Sequence, residues 1–163
     1  MKKEGFTELL AVVDAIPVLL FAAIWDVCNM FFHGGLFFVG GCLCIFAGLG
    51  KVIWKMILAR KNKDIRFWFL QFRVTMPMGF LLMLFAIIMR FGDIPWARLL
   101  QVALSFPIIL CWIVAILTMV TLIIMAKYMN QNSATDNWIE QMANIIMQSA
   151  IFIGVLAVSM VLR

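Results

Sequence analysis

The sequence carries little charge and almost no histidine. Of its 163 residues, 13 are Lys or Arg, 8 are Asp or Glu and 1 is His. Metal hydrolases and metal-dependent desaturases need several His or carboxylate ligands that converge on one ion. A single histidine argues against both classes, and it excludes a haem held by two histidines of the same chain. We therefore predict no metal site.

The motifs of common nucleotide-binding and hydrolytic sites are also missing. The chain has no G-x-S-x-G elbow, Walker loop or G-x-G-x-x-G fingerprint, and "GLGK" is too short for a phosphate loop. The 13 methionines and 4 cysteines include soft donors that suit Cu(I). Methionine more commonly fills gaps between packed side chains, and we favour that interpretation. The sequence predicts no cofactor.

Apolar residues are what the chain has in abundance. Hydrophobic residues make up 66% of the sequence and charged residues only 13%, too few charges to cover the surface of a soluble domain. The apolar residues form blocks of about 20 residues, the length that spans a bilayer. We predict one all-α domain over residues 1–163: a polytopic integral membrane protein, a bundle of about five transmembrane helices. The net charge of +5 then reflects the distribution of basic loops rather than nucleic-acid binding.

Five spans are predicted, at roughly residues 9–31, 36–58, 74–89, 99–126 and 137–162. Asp14 and Pro17 interrupt the first apolar run, which favours a membrane span over a signal peptide. The segment before the third span is expected to lie along the membrane interface, and Pro107 is expected to kink the fourth. Asn137 and Glu140 resemble a capping box at the start of the fifth span.

The basic residues predict the orientation. Three of those outside the spans fall on one side of the predicted topology, namely Arg90, Arg98 and Arg163. Eight fall on the other side: Lys2, Lys3, Arg60, Lys61, Lys63, Arg66, Arg73 and Lys127. Because basic residues accumulate on the cytoplasmic side, we predict a cell-membrane protein with its N-terminus in the cytoplasm and its C-terminus outside.

The second span carries small residues and two lysines on one face. Gly40, Cys44 and Gly48 recur every four residues, and Lys51 and Lys55 continue the same face. Small residues at this spacing let another helix approach closely, which is how helices associate in lipid. We therefore predict that this face is packed against protein, with Gly40, Cys44 and Gly48 in the contact.

The buried charges provide the main site hypothesis. Lys55 is expected to reach water at the cytoplasmic end, whereas Lys51 lies deeper, at a depth similar to that of Asp14. An Asp14–Lys51 ion pair is therefore predicted, which Arg73 and Glu8 could join. Two interpretations remain open: a structural pair that fixes the register of two helices, or a polar site for an ion, a proton or a small anionic solute.

Further candidates lie elsewhere in the spans. Asp26 is expected to be a second buried acid in the outer half of the first span, and His33 an interfacial residue. The fifth span carries an amide stripe, in which Gln148 is the deepest member. Such a stripe either bonds to neighbouring helices or lines a wet cavity; its residues are Asn137, Gln141, Asn144 and Gln148.

Three functions remain compatible with the sequence. The first is binding or transport of a small solute or ion within the membrane, with Asp14, Lys51, Asp26, Arg73 and Gln148 as candidate residues. The second is a non-catalytic membrane subunit that assembles, as a homo-oligomer or with a partner, through the glycine face of the second helix. The third is an enzyme acting on lipid, whose basic loop would hold a head group. No nucleophile or general base stands out, so a non-enzymatic role is favoured.

Overall fold

The computed structural model of the chain describes residues 7–61, 63, 65–129 and 133–162, and this part contains helices and no strand. Five helical segments are long and apolar enough to cross a membrane. The helices are α1 (Glu8–Val13), α2 (Ala15–Asn29), α3 (Gly35–Lys61), α4 (Arg66–Met89), α5 (Trp96–Ala103), α6 (Ile108–Met125) and α7 (Ala134–Leu162), with a short 3₁₀ turn at Phe91–Asp93.

Helices α1 and α2 together form the first candidate span, Glu8–Asn29. They are separated only by Asp14, whose backbone keeps helical dihedral angles. The interruption follows from Pro17, which has no N–H to donate to the carbonyl of Val13 four residues earlier. The proline therefore places a local irregularity of the helix beside the carboxylate of Asp14.

Helix α4 begins earlier than the sequence analysis predicts. It runs without a break from Arg66 to Met89, so the segment expected to lie along the interface is instead the first two turns of this helix. Pro77 lies inside the helix without ending it. The apolar run from Leu70 onward supplies the length that the predicted third span lacked.

The predicted fourth span is two helices rather than one kinked helix. Helix α5 ends at Ala103, and α6 starts at Ile108, directly after Pro107. Proline is well tolerated where a helix begins, because the first N–H groups of a helix have no partner within it. The part that is long and apolar enough to cross a membrane is α6 alone.

Helix α7 starts three residues before the predicted capping box. The side-chain oxygen of Ser133 accepts a hydrogen bond from the backbone N–H of Asp136, at 3.3 Å, as an N-cap residue does. The prediction of a capping box formed by Asn137 and Glu140 is wrong. Asn137 is buried inside the helix, and Glu140 takes part in an ion pair described below.

The helices pack in a definite spatial order. Helix α3 makes its most extensive contact with α4 and also packs on α1 and α2, whereas α7 packs on α2 and α6. At the closest point of the α3–α4 contact, a Cβ on Gly40 would lie 2.7 Å from the carbonyl oxygen of Gly79. Only glycine allows two backbones to approach so closely.

Candidate functional site

Two buried charges of opposite sign meet between α1 and α3. Lys55 Nζ donates a hydrogen bond to Asp14 Oδ1 at 3.0 Å, and their side chains are only 2% and 4% exposed. The predicted Asp14–Lys51 pair is therefore wrong, and so is the expectation that Lys55 extends into water. The acid was identified correctly from the sequence, but its partner lies one helical turn further along α3.

The helix ends explain the difference. Asp14 follows the first residue of α1, Glu8, by six positions, and Lys55 precedes the last residue of α3, Lys61, by six positions. At about 1.5 Å per residue, both side chains therefore start about 9 Å from the same end of the bundle. The second span was predicted to end near Leu58, and Lys55 was therefore expected too close to the membrane surface.

Lys51 is paired with a residue that the sequence analysis did not propose. Its Nζ lies 3.4 Å from Glu140 Oε1 on α7 and 5.4 Å from the centre of the Phe72 ring on α4. The two side chains are 23% and 33% exposed, so this pair is much less buried than Asp14–Lys55. Glu140 precedes Asn144 by four residues and therefore lies on the same side of the helix as the amide stripe. This spacing could have indicated from the sequence that Glu140 faces the other helices.

A polar cavity of about 130 Å³ lies beside the two ion pairs. We call it the inner cavity. It is surrounded by Asp14 and α2 on one side, by α3 and α4, and by the amide stripe of α7. Its polar lining consists of Asp14, Lys51, Gln141, Asn144 and Gln148, and its apolar lining includes Pro17, Val18, Phe21, Cys44, Gly48, Phe72 and Met76.

Two residues that line the inner cavity each have a buried polar atom without a hydrogen-bond partner. These atoms are Asp14 Oδ2, an acceptor, and Gln141 Nε2, a donor. Gln141 is only 1% exposed. A buried polar group without a hydrogen bond costs about 1–3 kcal/mol, so such groups usually mark a place where a water or another polar molecule binds.

A second cavity of about 220 Å³ adjoins the inner one, and its lining also contains Lys51 and Phe72. We call it the vestibule. The remaining residues that line it are Trp54, Lys55, Arg73, Asn137 and Glu140. It lies at the end of the bundle where α3 ends and α7 begins. Two of the three cations in this lining, Lys51 and Lys55, belong to the ion pairs described above.

Of the five predicted ligand-binding candidates, four line these two cavities and one does not. Asp14, Lys51 and Gln148 line the inner cavity, and Arg73 lines the vestibule. Asp26 is exposed on α2, so the prediction that it is a buried acid is wrong. It follows Asp14 by 12 residues, which places it about 120° away around the helix. Glu8 is not part of the cluster either, because it pairs with Arg60 on the surface, at 3.1 Å.

The other half of the bundle has an apolar core. Phe37, Cys44, Met83 and Ala86 are buried together there, and aromatic side chains of α2 and of the following turn pack against them. His33 is exposed at this end, and its backbone carbonyl accepts a hydrogen bond from Arg90. The inner cavity therefore has polar groups toward the vestibule and the apolar cluster on its far side. Cys44 belongs both to the cavity lining and to the apolar cluster.

The three predicted packing residues are buried within the chain. Gly40 contacts α4, Cys44 lies against Gly79, and a Cβ on Gly48 would lie 2.8 Å from a methyl group of Val18 on α2. Because the chain's own helices cover this face, it offers no room for a helix of another protein. A subunit role would need a different surface.

Gln71 is a polar residue of the α3–α4 contact that the sequence analysis missed. Its Nε2 donates a hydrogen bond to the carbonyl oxygen of Ala47 at 3.2 Å, and its Oε1 accepts one from Thr75 at 2.9 Å. Both hydrogen bonds satisfy groups that would otherwise be unpaired in an apolar contact. The residue lies in the segment that was expected at the interface, which is why its role was not predicted.

Comparison of the chain with protein-family models, with curated proteins and with solved structures gives no match.

Proposed function

We propose that the chain is an integral membrane protein that binds a small polar solute or ion in the inner cavity and admits it through the vestibule. The observation that carries this proposal is the pair of unpartnered buried atoms, Asp14 Oδ2 and Gln141 Nε2, which belong to two residues of the same cavity lining. A purely structural Asp14–Lys55 ion pair would not explain why Gln141 on α7 has an amide donor without a partner. Transport across the membrane is the function that this arrangement favours, because intramembrane ionisable groups commonly mark solute and ion pathways.

The proposed route is one-sided in the conformation described here. The vestibule leads toward Lys51, and beyond the inner cavity the apolar cluster around Phe37 and Met83 separates the cavity from the opposite end. Movement of a solute to the far side would require α3 and α4 to separate at their glycine contact. The proposal is therefore binding from the basic side, followed by a conformational change.

We further propose that the basic side is the cytoplasmic side of a cell membrane, with the C-terminus outside. A reporter that is active only in the cytoplasm, fused after Arg163, should then give no signal, whereas the same reporter fused before Met1 should be active. An active reporter at the C-terminus would overturn this orientation without affecting the cavity.

Cysteine accessibility tests the binding proposal. The four native cysteines are replaced by alanine, and single cysteines are then placed at Asn144, in the inner cavity, or at Met142, which is exposed on the opposite face of α7. A small water-soluble methanethiosulfonate should label Asn144→Cys in membranes and leave Met142→Cys unlabelled, because a thiol facing lipid does not meet the reagent. Lack of labelling at Asn144→Cys would contradict a cavity reached from water.

The other two candidate functions lack a comparable observation. A subunit role loses its predicted interface, because Gly40 and Gly48 are covered by α4 and α2. A role in lipid chemistry would rest on the vestibule with Arg73. The side chains there that serve as nucleophiles in enzymes are those of Lys51, Lys55 and Glu140, and all three are held in ion pairs. We therefore retain solute binding as the proposal.

A further inference from the structure

We infer that the inner cavity selects an uncharged polar molecule that both donates and accepts hydrogen bonds, rather than an ion. This inference rests on the proposed function, since it names the class of solute that the same cavity would bind. Three properties of the cavity support it: the pairing of its charges, the chemistry of its unpartnered atoms and its size.

The charges that line the inner cavity are already balanced. Asp14 is paired with Lys55, and Lys51 is paired with Glu140. The cavity therefore has no excess charge to neutralise a bound cation or anion. An ion would have to leave water for this environment without a counter-charge, which is far more costly than transferring a neutral molecule whose hydrogen bonds are replaced.

The unpartnered atoms require a ligand with two different capacities. Asp14 Oδ2 can only accept a hydrogen bond from its ligand while the carboxylate is ionised, and Gln141 Nε2 can only donate one. A simple anion would satisfy Gln141 but would be repelled by the carboxylate. A simple cation would satisfy Asp14 but would face the ammonium of Lys51. An amide or an alcohol satisfies both atoms at once.

The size of the cavity limits the ligand to a few heavy atoms. A volume of about 130 Å³ is close to that of an engineered protein cavity of about 150 Å³ that binds benzene. The amide side chains of Asn144 and Gln148 also line the cavity and offer further donors and acceptors. A small amide or polyol fits this volume and this lining.

Three isosteric probes test the inference: acetamide is neutral, acetate is an anion and acetamidinium is a cation. Each probe is added to the Asn144→Cys protein in membranes, at matched ionic strength, and the rate of methanethiosulfonate labelling is measured. An exposed Lys63→Cys reports any effect of the probe on the reagent itself. When the probe concentration equals its Kd, half of the sites are occupied and labelling of Asn144→Cys should slow about twofold.

We expect acetamide to slow labelling of Asn144→Cys, with acetate and acetamidinium much less effective, and none of them to affect Lys63→Cys. Adding Gln141→Met, which keeps the side-chain length but removes the amide, should abolish protection by acetamide. The comparison of the three probes does not depend on that variant, so it stands even if Gln141→Met fails to fold.

The contrary outcomes separate this inference from the proposed function. Stronger protection by acetate or acetamidinium would overturn the inference and leave a site for an ion. Labelling that none of the probes slows would mean that water alone fills the cavity, which also overturns the inference. Failure of Asn144→Cys to label at all would overturn both, because the solute could not reach the cavity.

Discussion

The two halves of the bundle are built from the same helices but are held together in opposite ways. Toward the vestibule, long charged side chains join α1, α3 and α7, as in the pair Asp14–Lys55. Toward the other end, α3 and α4 are in backbone contact at Gly40 and Gly79 around an apolar cluster. Charged side chains that span the space between helices leave room for a cavity, whereas the backbone contact between Gly40 and Gly79 leaves none.

This difference assigns separate roles to the two halves. The half with glycine contacts provides close packing, which is the main source of helix association in lipid. The half with ion pairs is packed less closely. Its helices are joined by buried charges that neutralise each other. Substitutions in the two halves should therefore destabilise the protein for different reasons, and different second substitutions should restore its stability. Three predictions test this.

The largest effect is expected from Asp14→Asn. It would leave Lys55 as a buried cation without its counter-charge, and removing one member of such a pair typically costs about 3–5 kcal/mol. The double variant Asp14→Asn with Lys55→Met should recover much of the lost stability, measured as unfolding by denaturant in detergent. If Asp14→Asn combined with Lys51→Met recovered more, the pairing would be that of the sequence analysis after all.

An intermediate effect is expected from Gly40→Ala, in the other half. The new Cβ would lie 2.7 Å from the carbonyl oxygen of Gly79, and overpacking of this kind costs about 1–3 kcal/mol. Gly35→Ala is the matched control, since nothing lies within 4 Å of its Cβ. Equal stability of the two variants would show that α3 and α4 are further apart than described. No change of a charged residue should rescue Gly40→Ala.

The smallest effect is expected from Lys51→Met. Its pair with Glu140 is partly exposed, and such pairs contribute about 1 kcal/mol or less. The control is Glu8→Gln, which removes a fully surface pair with Arg60 and should leave the unfolding midpoint unchanged. A loss for Lys51→Met as large as that for Asp14→Asn would mean that both lysines are equally buried, and that the vestibule is closed to water.

The sequence predicted the five apolar segments and most of the polar residues that line the cavities, because charges and amides within a membrane span are costly and therefore stand out. It did not predict which lysine meets Asp14, since that choice depends on helix ends that differ from the predicted ones by only a few residues. It placed Asp26 in the interior because an acid in an apolar run suggests burial, whereas its position around α2 decides otherwise.

Partners across helices were harder to predict than the residues themselves. Gly40 and Gly48 were recognisable as a packing face, but Gly79 and Val18 were not recognisable as the residues that they contact. Glu140 was assigned to a helix cap because its distance from Asn137 fits a local motif. The helix begins earlier, at Ala134, so the same residue lies two turns inside it and reaches Lys51.

The most direct test of the account is an experimental electron-density map of the protein from lipidic-mesophase crystals grown with acetamide. We expect density in the inner cavity, at hydrogen-bond distances of about 3 Å from both Asp14 Oδ2 and Gln141 Nε2, with Lys55 still bound to Asp14. A map in which the amide of Gln141 bonds to another protein group and the side chains of α7 fill the cavity would contradict it.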